Sequence, residues 1–376
     1  MALIDVRSDT VTRPTAEMRR AMAAAEVGDD VWREDPSVNA LEERAAELLG
    51  KEAGLFVSSG TMANLTALVA HVQRGGEIIA GGETHIVNDE AAGHAVVVGA
   101  SVRQLREGPD GTFDLRDLED AFRDETDIHQ PPTALVTVEN AHSHSMNSPL
   151  TPAHVASVAE IAHRHGVPLH VDGARFFNAA VALGVTPREL AAPADTVAFC
   201  LSKGLGCPVG SMLVGDREVI DRARRARKLV GGGMRQAGIL AAAGLIALRS
   251  GPSGMIERLA DDHANARRLA EGLAGLPGIS SAGGIAQPGE GPLDPSRVRT
   301  NFVLFKVADR RSFIDALRAR DVLMDEYAHG QVRAATHHDV SPTDIETILA
   351  AVAATLTEAG ARPSTQPIVA GQARGA

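Results

Sequence analysis

From residue 53 to residue 215 short apolar runs recur along the chain, GLFVSS, EIIAG, AVVVGA, TALVTVEN, PLHVDGA, TVAFCLS and GSMLVG, with amphipathic segments between several of them. This alternation of strand-like and helix-like periods predicts an α/β fold around a largely parallel sheet. The passage TPAHVASVAEIAHRHGVPLHVDGAR carries its own punctuation. Thr151 is placed to cap a helix whose first residue is Pro152, and Val155, Val158, Ala159 and Ala162 form its apolar stripe. Gly166 falls where a helix end favours a left-handed residue. A strand over 168–172 follows, and open α/β sheets bind ligands beyond the carboxyl ends of their strands. Asp172 stands at such an end.

Beyond residue 216 the pattern turns mostly helical to about 275, and SAGGIAQPGEGPLDPSRVRT, residues 281–300, reads as a surface loop rich in Gly and Pro. NFVLFKV reopens a sheet at residue 301. Helices are expected at about 311–320 and from Pro342 to about 357, which makes a smaller C-terminal α+β domain. The final ARPSTQPIVAGQARGA lacks periodicity and predicts a disordered tail over 361–376. No internal repeat is seen.

Composition narrows the classes. The 376 residues allow two or three domains at roughly 100–200 residues each. With 44% hydrophobic and 23% charged residues the chain is one that folds. Lys plus Arg total 37 against 48 Asp plus Glu, a net charge of −11, which argues against a nucleic-acid partner. Aromatics at 3% leave little for base or sugar stacking, so specificity must come from polar groups. Cys200 and Cys207 form no disulfide framework or C-x-x-C pattern, which points to a reducing, cytoplasmic setting. The N-terminus has no signal-peptide core, and the longest apolar stretch, residues 238–248, is shorter than the ~20 residues that cross a bilayer, so no membrane association is expected.

Four pieces carry chemistry. In SSGTMANLTALVAHV, residues 58–72, the amides of Gly60 and Thr61 open a helix and form an anion site, although such a turn is also what a plain N-cap looks like. In LHVDGAR a strand-end carboxylate, Asp172, is followed by Arg175, a pattern equally open to a structural ion pair. In VAFCLSKGLGCPVGS, residues 197–211, Lys203 ends an apolar strand among small residues, where a desolvated amine can form an imine. GLGCPVG misses the dinucleotide spacing and is set aside. RRARKLVGGGMRQ, residues 224–236, is either a basic helix end or a phosphate clamp.

A phosphate cup, a strand-end Asp and, about thirty residues later, a strand-end Lys are what pyridoxal phosphate requires: the Asp keeps the ring nitrogen protonated and the Lys holds the aldehyde. RSDTVTRP, VGDDVWREDPSVNALE, SSGTMAN, HVDGARFFNA, LSKGLGCPVGS and GGGMRQAG, in this order, resemble the threonine aldolase family, specifically its low-specificity L-threonine type, over residues 3–357.

The resemblance implies the PLP-dependent transferase fold type I: an N-terminal arm over 1–15, a large cofactor domain with a mostly parallel seven-stranded sheet over 16–250, and a small domain over 251–360. It implies that Lys203 forms the imine, Asp172 faces the ring nitrogen and Arg175 lies near the ring hydroxyl. Gly60, Thr61 and Ser202 would hold the phosphate, helped by Lys228 and Arg235, and a homodimer or homotetramer would follow. His85 matches the histidine that stacks on the cofactor, and Arg333 the carboxylate-binding arginine, with Ser8 as helper. The base that takes the β-hydroxyl proton is then His85 or His142. Cleavage of a β-hydroxy-α-amino acid such as L-threonine or L-allo-threonine would give glycine and an aldehyde.

Departures fall near the expected substrate. After ENAH the chain reads SHSMNSPLTP where the family has Asn and then glycines, so His144 competes with His142 as second active-site histidine. Trp32 and Arg33 replace Tyr and Gly, and an altered side-chain preference is expected. The rival within PLP chemistry is β-elimination, distinguished by ammonia and a 2-oxo acid as products. A zinc hydrolase on His142-x-His144 or His163-x-His165 lacks a third ligand, so no metal site is expected. His337 and His338 default to structural roles.

Overall fold

The computed structural model describes residues 3–124 and 126–361. In chain order its strands are β1 (Ile4–Asp5), β2 (Ala53–Val57), β3 (Glu77–Gly81), β4 (Ser101–Leu105), β5 (Thr133–Glu139), β6 (Leu169–Gly173), β7 (Thr196–Cys200), β8 (Ser211–Gly215), β9 (Phe302–Phe305), β10 (Val322–Leu323), β11 (Asp325–Tyr327) and β12 (Gln331–Ala335). Seven form one sheet in the order β2-β8-β7-β6-β5-β3-β4. Only β8 runs antiparallel to its neighbours, so the largely parallel α/β architecture expected from the apolar runs is present. β5 to β8 are buried nearly throughout, as a sheet covered on both faces requires.

One apolar run departs from the expected strand pattern. AVVVGA does not form a strand: residues His94–Val98 make a wide helical turn that Gly99 ends at φ 72°, and the edge strand is the following SVRQL. Apolar β-branched composition marked the segment. The deciding feature is a tight return: Gly75 N–H bonds Gly99 O and Ser101 N–H bonds Gly76 O, so the parallel partner of β3 begins only after the turn. The helix Pro152–Arg164 follows its punctuation: Thr151 accepts from His154 N–H and Gly166 is left-handed at φ 70°.

Among the described residues the buried apolar side chains fall into four clusters, of which the two largest frame the site. The larger packs Phe56, Phe176, Phe177 and Phe199 between the main sheet and its helices, each fully buried side chain contributing about 1.5–3 kcal/mol. The second gathers Leu304, Phe305, Leu317, Ile345 and Ile348 around the antiparallel sheet β11-β12-β9 and the helices Arg310–Arg318 and Pro342–Ala361. The N-terminal arm belongs to this second core through Ile4 and Val6: β1 pairs with β10, and Val6 O accepts from Ala335 N–H. It then crosses to the main sheet, where Thr12 Oγ1 donates to Lys203 O at 2.9 Å. The expected tail lies, apart from Ala361 at the end of the last helix, outside the described residues. Among the described residues no helix is long and apolar enough to cross a membrane.

Candidate active site

Parallel strands end together, and their carboxyl ends collect the chemistry. Asp172 on β6 lies in register with Glu139 on β5 and Ala198 on β7, and Lys203 follows three residues after β7. Asp172 is buried; its Oδ2 accepts from Asn64 Nδ2 at 2.9 Å and its Oδ1 from Ala174 N–H at 3.2 Å. Asn64 Nδ2 also donates to Glu90 Oε1, which lies 2.9 Å from His85 Nδ1. One ligating atom of each of His85, Glu90 and Asp172 lies within 4.8 Å of the others. Burial, then the charges of Glu139 and Glu90, push the Asp172 carboxyl up to about 6, against the pull of His85 and Lys203. Burial opposes the His85 imidazolium, but the bond to Glu90 and the charges of Asp172 and Glu139 outweigh it and raise His85 above its ordinary value.

The cup is built by a close approach. Ser59 caps the helix Gly60–His71 by accepting from Met62 N–H at 3.1 Å, and among the described residues the Gly60 and Thr61 amides have no acceptor. A Cβ on Gly60 would come within 2.8 Å of Cys200 Sγ, so this turn can press against the end of β7 only as glycine. Ser202 N–H bonds Gly210 O, and among the described residues the Lys203 ammonium has no hydrogen-bond or ion-pair partner. A free amine, unused helix-start amides and a buried carboxylate crowded by two others are what a phosphorylated aldehyde with a protonated ring nitrogen would satisfy. The residues present fit pyridoxal phosphate.

Arg175 lines a small cavity with Lys203, and Arg333 lies close enough to Arg175 to feel its charge, yet the two arginines have different balances. Arg175 is neutralised by Asp9 through two hydrogen bonds, and Asn301 Nδ2 donates to the same carboxylate at 3.1 Å. Burial opposes the Asp9 carboxylate, yet Arg175 and Lys203 hold it down at about 2. Arg333 Nε donates to Arg7 O at 2.8 Å, and its guanidinium lies 4.7 Å from the centre of the Tyr327 ring and 5.5 Å from that of Phe302. Its nearest carboxylate, Asp325, is 3.8 Å away and half exposed. Burial, then repulsion from Arg175, lowers Arg333, leaving it a poorly compensated cation suited to an incoming carboxylate. Ser8, next to Arg7, caps the turn Asp9–Val11 and bonds Thr10.

The two candidate histidines separate. His142 is fully buried with Nε2 2.9 Å from Glu107 Oε1; burial opposes its charge, but Glu107 and Glu139 raise it above the ordinary value. Its link to the cluster around Asp172 runs through Glu139. His144 instead lies on the side of the arginine pocket, its ring 5.3 Å from that of Tyr327 and its Nδ1 3.2 Å from Glu83 Oε2. Trp32 is 72% exposed, and Lys228 and Arg235 also lie on the surface of this chain, Arg235 paired with Asp29 at 2.8 Å. The buried cation of that segment is Arg227, bonded to Phe56 O and Asp30. Arg33, which stands where the resemblance implies Gly, and Met146 and Asn147, in the segment where it implies glycines, keep left-handed backbone at φ 61°, 63° and 54°.

Sequence reasoning did not single out Asp9, Asn64, Glu90, Glu139, Asn301 or Tyr327. Asp9 and Glu139 do sit inside the motifs RSDTVTRP and ENAH, but only the fold shows what they touch.

Known proteins are similar to this chain over most of its length. The beta-eliminating lyase family matches residues 5–308. Low-specificity L-threonine aldolase 1 of Arabidopsis thaliana is 42% identical over 352 residues, covering 92% of this chain and 94% of that protein. The low specificity L-threonine aldolase of Escherichia coli strain K12 is 42% identical over 350 residues, covering 93% and 98%. A solved threonine aldolase of Leishmania major matches with a TM-score of 0.76 at 19% identity over 93% of this chain and 98% of that one, which shows a shared fold.

Proposed function

The chain belongs to the beta-eliminating lyase family, and from that premise we propose that it cleaves β-hydroxy-α-amino acids, L-threonine and L-allo-threonine among them, to glycine and an aldehyde. It is a pyridoxal-phosphate-dependent carbon–carbon lyase of fold type I, with the arm, large-domain and small-domain division expected from the sequence. The observation that carries the proposal is the Lys203 amine, unpartnered among the described residues, with its charge felt by buried Asp172; the poorly compensated Arg333 stands beside Arg175.

When bound, pyridoxal phosphate supplies an aldehyde for an amine and a protonated ring that takes up the electron pair of the breaking Cα–Cβ bond. Lys203 would anchor it, Asp172 would hold the proton on the ring nitrogen, and Gly60, Thr61 and Ser202 would take the phosphate. Arg333, held by Arg7 O, binds the substrate carboxylate, a charge-assisted contact of roughly 1.5–3 kcal/mol per hydrogen bond. His85 accepts the β-hydroxyl proton at its free ring nitrogen while Nδ1 stays bonded to Glu90. As that proton leaves, the Cα–Cβ bond breaks, the β-carbon becomes the aldehyde carbonyl, and a proton returned to Cα completes glycine. His144, beside Tyr327, sits where the substrate side chain extends, and His142 serves the fold.

A homo-oligomer in the cytoplasm completes the proposal. Val27, Val31, Trp32, Leu229 and Ile239 are exposed, and a second copy covering them would bring the basic Lys228 and Arg235 to an interface; Cys200 and Cys207 are both unpaired.

The test is product identification by NMR after incubating the loaded protein with L-threonine and, in parallel, L-phenylserine. Glycine with acetaldehyde or benzaldehyde supports the aldolase. Ammonia with a 2-oxo acid moves the protein to β-elimination, and no turnover on either refutes the substrate class.

A further inference from the structure

Spacing along the chain offers His144 no third ligand, yet the fold delivers two neighbours from distant segments. Glu83 follows β3, His144 lies in the turn Ser143–Ser145 after β5, and His329 sits between β11 and β12. Glu83 Oε2 is 3.2 Å from His144 Nδ1 and 2.9 Å from His329 Nε2, and one ligating atom of each residue lies within 4.8 Å of the others. We propose that Glu83, His144 and His329 form a binding site for a divalent transition-metal ion of the zinc type, at the mouth of the active site.

Four-coordinate zinc with bonds of about 2.0–2.1 Å places neighbouring ligand atoms roughly 3.3 Å apart, close to the two contacts seen. Two imidazoles and one carboxylate favour zinc or cobalt over calcium or magnesium, which prefer sites built of oxygen. The outer shell is present too: His144 Nε2 faces Asp89 Oδ2 at 3.7 Å, the carboxylate that a ligating histidine's second nitrogen commonly meets. Without an ion, one carboxylate oxygen serves both imidazole contacts. An ion would take the lone pair of each ring and leave a fourth position open. A cavity of about 620 Å³ lined in part by Glu83, Gln104, Glu107 and Ile285 gives a hydrated ion access.

The consequence is mechanical. Glu83 and His144 belong to the seven-stranded sheet's loops and His329 to the three-stranded sheet, so a shared ion would tie the two together across the opening beside Tyr327 and Arg333.

The test uses the loaded enzyme, dialysed against chelator and titrated calorimetrically with Zn²⁺ alone. Glu83→Gln and His329→Ala are the variants, and His129→Ala, which removes an exposed histidine elsewhere, is the control. The expected result is one Zn²⁺ per chain, a raised melting temperature on binding, weaker binding below the histidine range, and affinity lowered beyond the roughly 10–100-fold cost of losing a supporting residue in both variants but not in the control. No uptake by the parent enzyme overturns the proposal, as does a loss confined to one of the two variants or to neither. Glu83→Gln preserves shape and His329 is exposed, so an unchanged melting temperature without metal shows that the fold is intact.

Discussion

Asp9 and Arg175 meet through paired hydrogen bonds, Nε to Oδ2 at 2.8 Å and Nη2 to Oδ1 at 2.6 Å, with both side chains buried. The pair joins three parts of the molecule. Asp9 comes from the N-terminal arm, Arg175 from the turn after β6, and Asn301, just before β9, donates to the same carboxylate. The arm is therefore a working part of the site, holding the arginine next to Lys203 while its own β1 is stitched into the second core.

Replacing Asp9 by Asn leaves Arg175 buried and uncompensated, which costs about 3–5 kcal/mol. Urea unfolding of the loaded enzyme should show that loss, and an unchanged midpoint would remove the pair from the stability account. The acid limb follows from the sign of the shift: Asp9 is held below its ordinary 3.8, at about 2. Its stabilisation is fully present above about pH 4 and disappears as pH falls through 2. Asp9→Asn should flatten that part of the unfolding profile.

Asp172 has the opposite sign. Its folded value of about 6 lies above the ordinary 3.8, so between these values the cofactor-free native state binds more protons than the unfolded chain, and stability rises as pH falls from 6 toward 4. A bound ring cation supplies the missing positive charge and lowers Asp172. Melting temperatures across pH 4–7 should therefore show this gain in the free protein, less of it in the loaded enzyme, and none of it from Asp172→Asn. The same variant should reduce kcat by roughly 10–100-fold, the equivalent of one charge-assisted hydrogen bond.

Lys203→Ala should abolish turnover and the visible absorption of the bound cofactor together. Multiple turnovers by this variant would end the assignment of Lys203.

Much of the site could be read from the chain because its parts are local. Ser59-Gly60-Thr61, Asp172 at a strand end and Lys203 after the next strand are each declared by their own neighbours, and parallel strands bring such ends together. What stayed hidden depends on partners far apart in sequence. Nothing near Asp9 announces Arg175 166 positions on, and nothing near His144 announces His329. AVVVGA failed for a related reason: composition marked a strand, while the hydrogen bonds of Gly75 and Gly76 fixed the return one turn later. Arg33, Met146 and Asn147 hide a glycine-like backbone behind ordinary side chains; Met146 spends its side chain in the second core, which offsets part of the roughly 1–2 kcal/mol that left-handed backbone costs.

Arg333→Ala should raise KM more than it lowers kcat, by roughly 10–100-fold for one or two lost charge-assisted hydrogen bonds. Arg333→Lys should recover little, because a lysine cannot keep the bond to Arg7 O and also offer a planar pair to the substrate. Full rescue by lysine would mean that charge alone binds the carboxylate.

The assignment of the base separates two histidines that the sequence left as equals. His85 has Glu90 at Nδ1 and a raised affinity for protons, so the acid limb of kcat/KM should lie above the ordinary histidine value, with activity rising as pH increases through it. Glu90→Gln removes a bond and a charge that favour imidazolium, and the limb should move to lower pH; a merely structural Glu90 would lower activity without moving it. His85→Ala should cost roughly 10²–10⁴-fold in kcat, the usual contribution of a general base. His142→Ala should behave differently, because it leaves Glu107 buried with the Glu83 N–H but without the imidazole that faces its charge. The expected loss is about 3–5 kcal/mol of stability, with turnover of the surviving folded enzyme little changed. If instead His142→Ala stops turnover while its unfolding midpoint stays put, the proton passes through His142, and Glu107 is the carboxylate that tunes it.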